Sequence, residues 1–162
     1  KCERFFAVPL PWTLRDSAPP DFDTLYQVDQ QCYPPGIAYS RRTLRTFLRM
    51  PGAVCRVAER DASIGGFILG VFESSAAHII TLDVLKELRR QGLGTVLLED
   101  LESIFAARGV ARVELETAVN NAPAVAFWKS RGYRTVGVLE RYYLDRIDAY
   151  WMVKTLSPVK ER

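Results

Sequence analysis

The chain has 162 residues, of which 48% are hydrophobic and 25% charged, which fits a single domain over residues 1–162 with a sizeable core and argues against disorder. The formal net charge of +3 gives no reason to expect nucleic acid as a partner. No apolar run approaches the roughly 18 residues of a membrane span, so no membrane partner is expected either.

The first third of the chain predicts one edge strand and two helices. The apolar run Phe5–Arg15 carries two prolines, which suits the edge of a sheet. In Asp21–Cys32 the apolar residues recur at helical spacing, and Asp21 or Asp23 is placed to cap this helix. The short basic helix Ser40–Met50 ends at a Pro-Gly pair.

The rest of the chain alternates strands with two more helices. Three extended runs separated by turn residues come first: Ala53–Glu59, Ile64–Phe72 and Ala77–Val84. A helix, a strand, a second helix and two closing strands follow, namely Gly94–Ala107, Ala111–Ala118, Ala122–Arg131, Tyr133–Arg141 and Ala149–Leu156. This order, β-α-α-β-β-β-α-β-α-β-β, predicts an α/β (α+β) domain around one central sheet.

Cysteine and histidine are too few and too scattered to indicate metal or triad chemistry. The three cysteines, Cys2, Cys32 and Cys55, have no metal-ligand spacing and form no disulfide framework, which is typical of free thiols in a cytoplasmic protein. With His78 as the one histidine, most zinc sites and a Ser-His-Asp triad are poor fits.

The stretch RRQGLG, residues 89–94, has the features of a phosphate cradle. It follows a strand and opens a helix, whose first turn has backbone N–H groups without partners and a dipole that favours anions. Gly92 and Gly94 allow close backbone approach, and Arg89 and Arg90 are donors that suit phosphate. A Walker A loop would need a lysine after the second glycine, and a dinucleotide fingerprint would need a third glycine. From the residues alone, incidental glycines with solvated arginines stay an alternative.

RRQGLG also resembles the Arg/Gln-x-x-Gly-x-Gly/Ala signature of the GNAT superfamily of N-acetyltransferases. The resemblance extends over LETAVNNAPAVAFWKSRGY, residues 115–133. The tail ERYYLDRIDAYWM and the loop CYPPG are similar to a narrower group, the N-terminal α-amino acetyltransferases, which includes the ribosomal-protein-alanine type. The resemblance implies a mixed, mostly antiparallel sheet of about seven strands, splayed between strands 4 and 5 and flanked by about four helices.

The family uses acetyl-coenzyme A as a co-substrate and no metal, and the resemblance implies which residues would hold it. Backbone amides of the splayed strand would bind the pantetheine arm and the acetyl carbonyl, the glycine turn would bind the pyrophosphate, and the helix after the next strand would add further contacts. The residues are Leu82, Asp83, Val84, Arg89, Arg90, Gln91, Gly92, Leu93, Gly94, Thr95, Asn121, Ala124, Phe127, Trp128 and Lys129. Asn121 is also a natural helix cap, and Lys129 is equally well explained as a solvated residue.

The resemblance gives catalytic roles to Glu116, as general base, and to His78 and Tyr142. Each has a plainer explanation: Glu116 fits the polar side of an alternating strand, His78 fits a core position beside two isoleucines, and Tyr142 fits packing at a strand end. The acceptor would lie against a set of aromatic residues and prolines: Tyr33, Pro34, Pro35, Tyr142 and Tyr143.

One position departs from the family pattern. The family usually has a tyrosine, as the acid for the leaving thiolate, where this chain has Trp128. An indole N–H donates a hydrogen bond but does not give up its proton at working pH, so Tyr133, Tyr142 or water would have to supply it.

The sequence therefore predicts transfer of acetyl to the N-terminal α-amine of a protein or peptide, by direct attack in a ternary complex. Acetylation of a small amine stays an alternative. A non-catalytic acyl-coenzyme A sensor is a third, favoured only by Trp128. The oligomeric state is left open between monomer and homodimer.

Overall fold

The fold was derived from a computed structural model, which describes residues 12–157. The elements in chain order are β1 (Thr13–Asp16), α1 (Phe22–Cys32), α2 (Arg41–Leu48), β2 (Ala53–Arg60), β3 (Ser63–Glu73), β4 (Ala76–Val84), α3 (Leu93–Ala107), β5 (Arg112–Ala118), α4 (Ala122–Ser130), β6 (Arg134–Tyr143) and β7 (Ile147–Thr155). This confirms the predicted order of strands and helices. The predicted first strand begins before residue 12, so only its end, β1, lies in the described part. None of the helices in this part is long and apolar enough to cross a membrane.

The strands form one mixed sheet of seven, in the order β1-β2-β3-β4-β5-β7-β6. Each neighbouring pair is antiparallel except β4 with β5. These two strands run parallel over only three pairs, from Ala76 opposite Arg112 to His78 opposite Glu114. Beyond His78 they separate, which confirms the predicted splay between strands 4 and 5.

Two apolar clusters cover the two faces of the sheet. On one face α3 buries Leu97, Leu101 and Phe105, and α4 adds Trp128 to the same cluster. On the other face α1 and α2 bury a second cluster around Leu25, Val28, Leu44, Phe67 and Leu69. The central strand β3 supplies both clusters because successive side chains of a strand point to opposite faces.

A β-bulge in β4 changes which side chains face which helix. Leu69 pairs with Thr81 but Gly70 pairs with Ile79, so Ile80 is the extra residue. Beyond the bulge, Leu82 packs on the α3 face. Asp83 instead is buried on the α1 face, beside Asp29.

The predicted cap of α1 is wrong. Asp21 occupies the position before the helix, but its side chain makes no capping hydrogen bond. Its carboxylate instead accepts from the N–H of Ala18 and pairs with Arg15 at 2.8 Å. Asp23 lies inside the helix and pairs with Arg41.

Candidate active site

A cavity of about 790 Å³ opens where β4 and β5 separate, within the size range of small-molecule sites. Most residues that the sequence predicted for the site line it: Tyr33, Pro34, Leu82, Val84, Arg89, Arg90, Gly92, Gly94, Thr95, Glu116, Asn121, Ala124, Phe127, Trp128 and Tyr143. Seven predicted residues are not part of this lining: Pro35, His78, Asp83, Gln91, Leu93, Lys129 and Tyr142.

The glycine turn presents unpaired backbone donors to the cavity. The first hydrogen bond of α3 runs from the N–H of Val96 to the carbonyl of Gly92, and no side chain caps the helix. The N–H groups of the three residues between them therefore have no partner inside the helix. Gly92 has φ +86°, and a Cβ built on it would meet no atom within 4 Å. Arg90 is also left-handed, at φ +61°. Strained, open backbone at a helix start is suited to binding an anion.

Three other residues of this turn have structural partners. Arg89 donates from Nε to the carbonyl of Val84 at 2.8 Å, which leaves its terminal nitrogens free for a ligand. Gln91 donates from its side chain to the carbonyl of Glu87 at 3.3 Å. Leu93 is buried in the core below α3. The last two can contribute to the cavity through their backbone only.

The splayed edge of β4 has its carbonyls occupied and its N–H groups open. The carbonyls of Ile80 and Leu82 accept from the hydroxyls of Tyr39 and Tyr33 at 3.3 and 3.4 Å. The N–H of Leu85 donates to β3, and successive N–H groups of a strand alternate in direction. The amides of Val84 and Leu82 therefore face the cleft. The amide of Asp83 faces β3, and its side chain faces α1, so its predicted contact with a ligand is not supported.

Glu116 projects into the cavity from β5 and is held by His78. Nε2 of His78 lies 2.5 Å from Oε2 of Glu116, whose side chain is 15% exposed against 37% for His78. Burial lowers the pKa of His78, but the hydrogen bond to Glu116 and the charges of Glu116 and Glu114 outweigh it, so the pKa is raised. Glu116 lines the cavity, whereas His78 lies outside the lining and contacts the Glu116 carboxylate.

The two tyrosines of the tail differ in position. Tyr143 lines the cavity and donates from its hydroxyl to the backbone carbonyl of Glu116 at 3.3 Å. Tyr142 packs edge-to-face on it, with ring centroids 4.8 Å apart, and is 49% exposed. Burial is the largest cause that raises the pKa of both phenols, and the charge of Glu116 adds to it, so both stay protonated at neutral pH.

The first turn of α4 and its buried tryptophan complete the wall. Oδ1 of Asn121 accepts from the N–H of Ala124 at 3.3 Å, which is the predicted cap. Trp128 packs edge-to-face on Phe127 and Tyr133. The hydroxyl of Tyr133 donates to Glu102 at 3.2 Å, away from the cavity lining, so Tyr133 is not placed to protonate a ligand. Lys129 is exposed on the outer side of α4.

Sequence reasoning missed Tyr39 and Asp29. Tyr39 lines the cavity at the end of the CYPPGIAY loop, whose start the sequence had singled out. Asp29 is fully buried on α1. The sequence feature that could have revealed Asp29 is its position on the same helical stripe as Leu25, Val28 and Cys32, where a charged residue interrupts an apolar face.

The site combines a turn suited to binding an anion with the carboxylate of Glu116, and it has no metal centre among the described residues. No group of three His, Cys, Asp or Glu side chains there could hold a metal ion. Backbone amides of β4 lie between this turn and Glu116. Such an arrangement suits a reaction in which a nucleophile near Glu116 attacks the carbonyl of an ester whose anionic end is bound at the turn.

Comparisons with known proteins agree with this chemistry. The acetyltransferase (GNAT) family model matches residues 22–133. The chain is 33% identical to an uncharacterised N-acetyltransferase of Methanocaldococcus jannaschii, MJ1530, over 142 residues. The aligned region covers 87% of this chain and 90% of that protein. It is 29% identical to an N-alpha-acetyltransferase of Saccharolobus solfataricus, over 90% of this chain and 93% of the relative.

A solved structure has the same fold. The ribosomal-protein-S18-alanine N-acetyltransferase of Escherichia coli superposes with a TM-score of 0.82 at 24% identity, over 93% of this chain and 99% of that one. The resemblance that the glycine turn and the β5–α4 segment indicated is confirmed. This chain belongs to the acetyltransferase (GNAT) family.

Proposed function

We propose that this acetyltransferase moves an acetyl group from acetyl-coenzyme A to the N-terminal α-amine of a protein or peptide. The observation that carries the proposal is the Glu116 carboxylate, held by His78 and facing the same cavity as the open start of α3. One end of this cavity suits a diphosphate and the other an amine. The relatives named as N-alpha-acetyltransferases support the same substrate class.

The described residues fit acetyl-coenzyme A. The unpaired amides at the start of α3, with Arg89 and Arg90, would bind the pyrophosphate. The space in front of Gly92 is where a Cβ would obstruct it. The amides of Leu82 and Val84 would orient the arm and the acetyl carbonyl, and Val84 would donate to the oxygen on which negative charge develops. Acetyl-coenzyme A supplies the activated thioester, and the chain supplies position and charge.

Glu116 is suited to an α-amine. An α-ammonium has a pKa near 8, so roughly a tenth is neutral at pH 7, whereas a lysine amine would need about 4.6 kcal/mol to deprotonate. A carboxylate acting directly or through one water is a sufficient base for the first case. His78 fixes the Glu116 rotamer and keeps one oxygen facing the cavity.

The walls near Glu116 fit an extended chain. Tyr33, Pro34 and Tyr143 line this end, and the hydroxyls of both tyrosines are committed to backbone carbonyls. Glu116 is the one acidic side chain among the described residues that line the cavity, whereas an oligocationic small amine would be favoured by several acidic side chains.

A panel of acceptors tests the proposal. Purified protein with acetyl-coenzyme A would be assayed for thiol release on peptides with free and blocked N-termini, on polyamines and on aminoglycosides. We expect turnover on free α-amines only. Preferred turnover on a polyamine would favour the small-molecule alternative, and tight coenzyme A binding without turnover on any amine would favour the sensor.

A further inference from the structure

Two fully buried aspartates meet between α1 and β4, outside the cavity. Asp29 on α1 and Asp83 on β4 are both 0% exposed, and the two carboxyl groups are near enough for each to shift the pKa of the other. Asp29 also accepts from the N–H of Tyr39 through Oδ2, at 2.6 Å, and Asp83 accepts from the hydroxyl of Thr81 through Oδ1, at 2.5 Å. The second oxygen of each carboxyl, Oδ1 of Asp29 and Oδ2 of Asp83, is buried and has no hydrogen-bond partner among the described residues.

This arrangement is satisfied only if it holds a proton. Two ionised carboxylates in contact away from water would repel each other and leave an oxygen of each without a donor. With one proton between them, the protonated oxygen of one carboxyl donates a hydrogen bond and an oxygen of the other carboxyl accepts it, as in carboxyl pairs that share a proton. We propose that Asp29 and Asp83 share one proton, and that this hydrogen bond positions the α1–α2 loop on the open edge of β4.

Asp29 connects to both tyrosines of that loop. Its backbone carbonyl accepts from the N–H of Tyr33 at 3.2 Å, and its side chain accepts from the N–H of Tyr39. The hydroxyls of the same two tyrosines reach the carbonyls of Leu82 and Ile80. The carboxyl pair is therefore the buried end of a set of bonds whose other end forms the cavity wall.

The protonation state of the Asp29–Asp83 pair should depend on pH. Burial, and then the charge of Asp29, raises the pKa of Asp83 well above its usual range. Burial also raises the pKa of Asp29, against the hydrogen bonds from Asp83 and Tyr39. The other ionisable groups near the pair are Cys32, Tyr33, Tyr39 and Cys55, and each is neutral at pH 7 because burial raises its pKa. Arg89 is charged, but it is exposed and acts on Cys32.

The sign of the pH effect follows from linkage. The folded pair binds about one proton more than the unfolded chain at neutral pH, so its contribution to stability is complete below about pH 4 and falls as pH rises through the folded pKa. Loss of that proton places two like charges between α1 and β4 and loosens the wall at Tyr33 and Tyr39. The structural part of this inference stands without the proposed function, and only its kinetic part rests on that function.

The test uses Asp83→Asn, whose amide donates to Asp29 and whose oxygen accepts from Thr81 at every pH. Carboxyl ¹³C NMR of the aspartate-labelled wild type should contain one aspartate that stays protonated at pH 7, and this signal should be lost in Asp83→Asn. Urea unfolding should give a wild-type stability that falls with pH relative to Asp83→Asn, with a slope of about one proton. Asp100→Asn, which removes a carboxylate paired with Arg56, is the control without that slope.

The kinetic readout separates this inference from the proposed function. For a peptide substrate, kcat/KM of Asp83→Asn is divided by kcat/KM of the wild type at each pH. This ratio should be at least threefold higher at pH 9 than at pH 7. Should Asp83→Asn fail to fold, the wild-type NMR titration alone decides. An ordinary titration of every aspartate in the wild type would overturn the proposal. A retained proton without turnover on any amine would overturn only the proposed function.

Discussion

Nε2 of His78 lies 2.5 Å from Oε2 of Glu116, beside the last pair at which β4 and β5 run side by side. His78 closes the parallel segment opposite Glu114, and Glu116 is the next residue of β5 on the same face, where the strands have begun to separate. The splay therefore places a carboxylate at the closed end of the cleft with a histidine behind it. A hydrogen bond in this position fixes the direction of the Glu116 carboxylate, the proposed base.

Replacing Glu116 with Gln should lower kcat by about 100-fold or more, because the amide cannot accept the amine proton. The KM for acetyl-coenzyme A should change little, since the proposed diphosphate contacts lie at the start of α3. Steady-state kinetics with a free-α-amine peptide would measure both. Glu114→Gln is the matched control, one same-face position earlier on β5 and paired with Arg112. Equal kcat values for Glu116→Gln and the parent would make Glu116 a strand residue only.

His78→Gln should cost stability mainly at low pH. Burial lowers the pKa of His78, but Glu116 raises it more, so the folded pKa lies above the unfolded value of about 6.5. The stabilisation is therefore complete below about pH 6.5 and is lost as pH rises through the folded pKa. Urea unfolding of both proteins at pH 5.5 and pH 9 would measure the difference. Salt should reduce it, because His78 is partly exposed. A difference that is the same at both pH values would contradict an ion pair.

The element order was predictable because each element carries its own signal. The apolar stripe of α3 and the runs of β2, β3 and β4 fixed their type by periodicity alone. The site followed from the turn at residues 89–94, since open backbone at a helix start needs glycine there. The boundaries of the elements differ from the predicted ones by one to two residues. The sixth strand, for example, was predicted over Tyr133–Arg141 and is observed over Arg134–Tyr143.

The directions of side chains were less predictable, because they depend on long-range contacts. Asp21 was expected as a helix cap, but Arg15, which lies on a neighbouring strand, forms an ion pair with it. Asp83 was expected at the ligand, but the bulge at Ile80 changes the alternation of β4 and turns it towards Asp29. Asp29 is far from Asp83 in sequence, and Arg15 reaches Asp21 from six residues away across a turn, so neither contact follows from the periodicity of a single helix or strand.

Tyr143→Phe should weaken peptide turnover more than Tyr142→Phe. The Tyr143 hydroxyl supports the backbone of Glu116 from inside the cavity, whereas Tyr142 is outside the lining and half-exposed. Loss of one hydrogen bond of about 1 kcal/mol corresponds to about fivefold in kcat/KM for the peptide. Initial rates at low peptide concentration would give this ratio directly. A larger loss in Tyr142→Phe would mean that the acceptor chain lies along the outer face of β6.

Trp128→Tyr should keep or raise turnover while lowering stability. The indole is buried between Phe127 and Tyr133, so a smaller ring leaves a gap that costs roughly 1–3 kcal/mol. Tyrosine adds a hydroxyl that can protonate the leaving thiolate, which tryptophan cannot do. Thermal unfolding and kcat, measured on the same sample, would separate the two effects. A hundredfold fall in kcat, with the fold retained, would reveal a specific role for the indole N–H.

Gly92→Val should lower the affinity for coenzyme A by at least tenfold. Gly92 has φ +86° and open space where a Cβ would lie, so the branched side chain would meet the diphosphate and not the protein. The left-handed backbone adds a strain of about 1–2 kcal/mol, which lowers stability without any ligand. Isothermal titration with coenzyme A would measure the affinity.

Gly109→Val is the matched control for that strain. Gly109 ends α3 with φ +84°, its Cβ would also meet nothing within 4 Å, and it lies outside the cavity lining. Both variants should therefore lose a similar free energy of unfolding, because they carry the same backbone strain. Only Gly92→Val should lose coenzyme A affinity, because only there would the proposed ligand occupy the space of the side chain. Equal affinities in the two variants would mean that the diphosphate binds elsewhere.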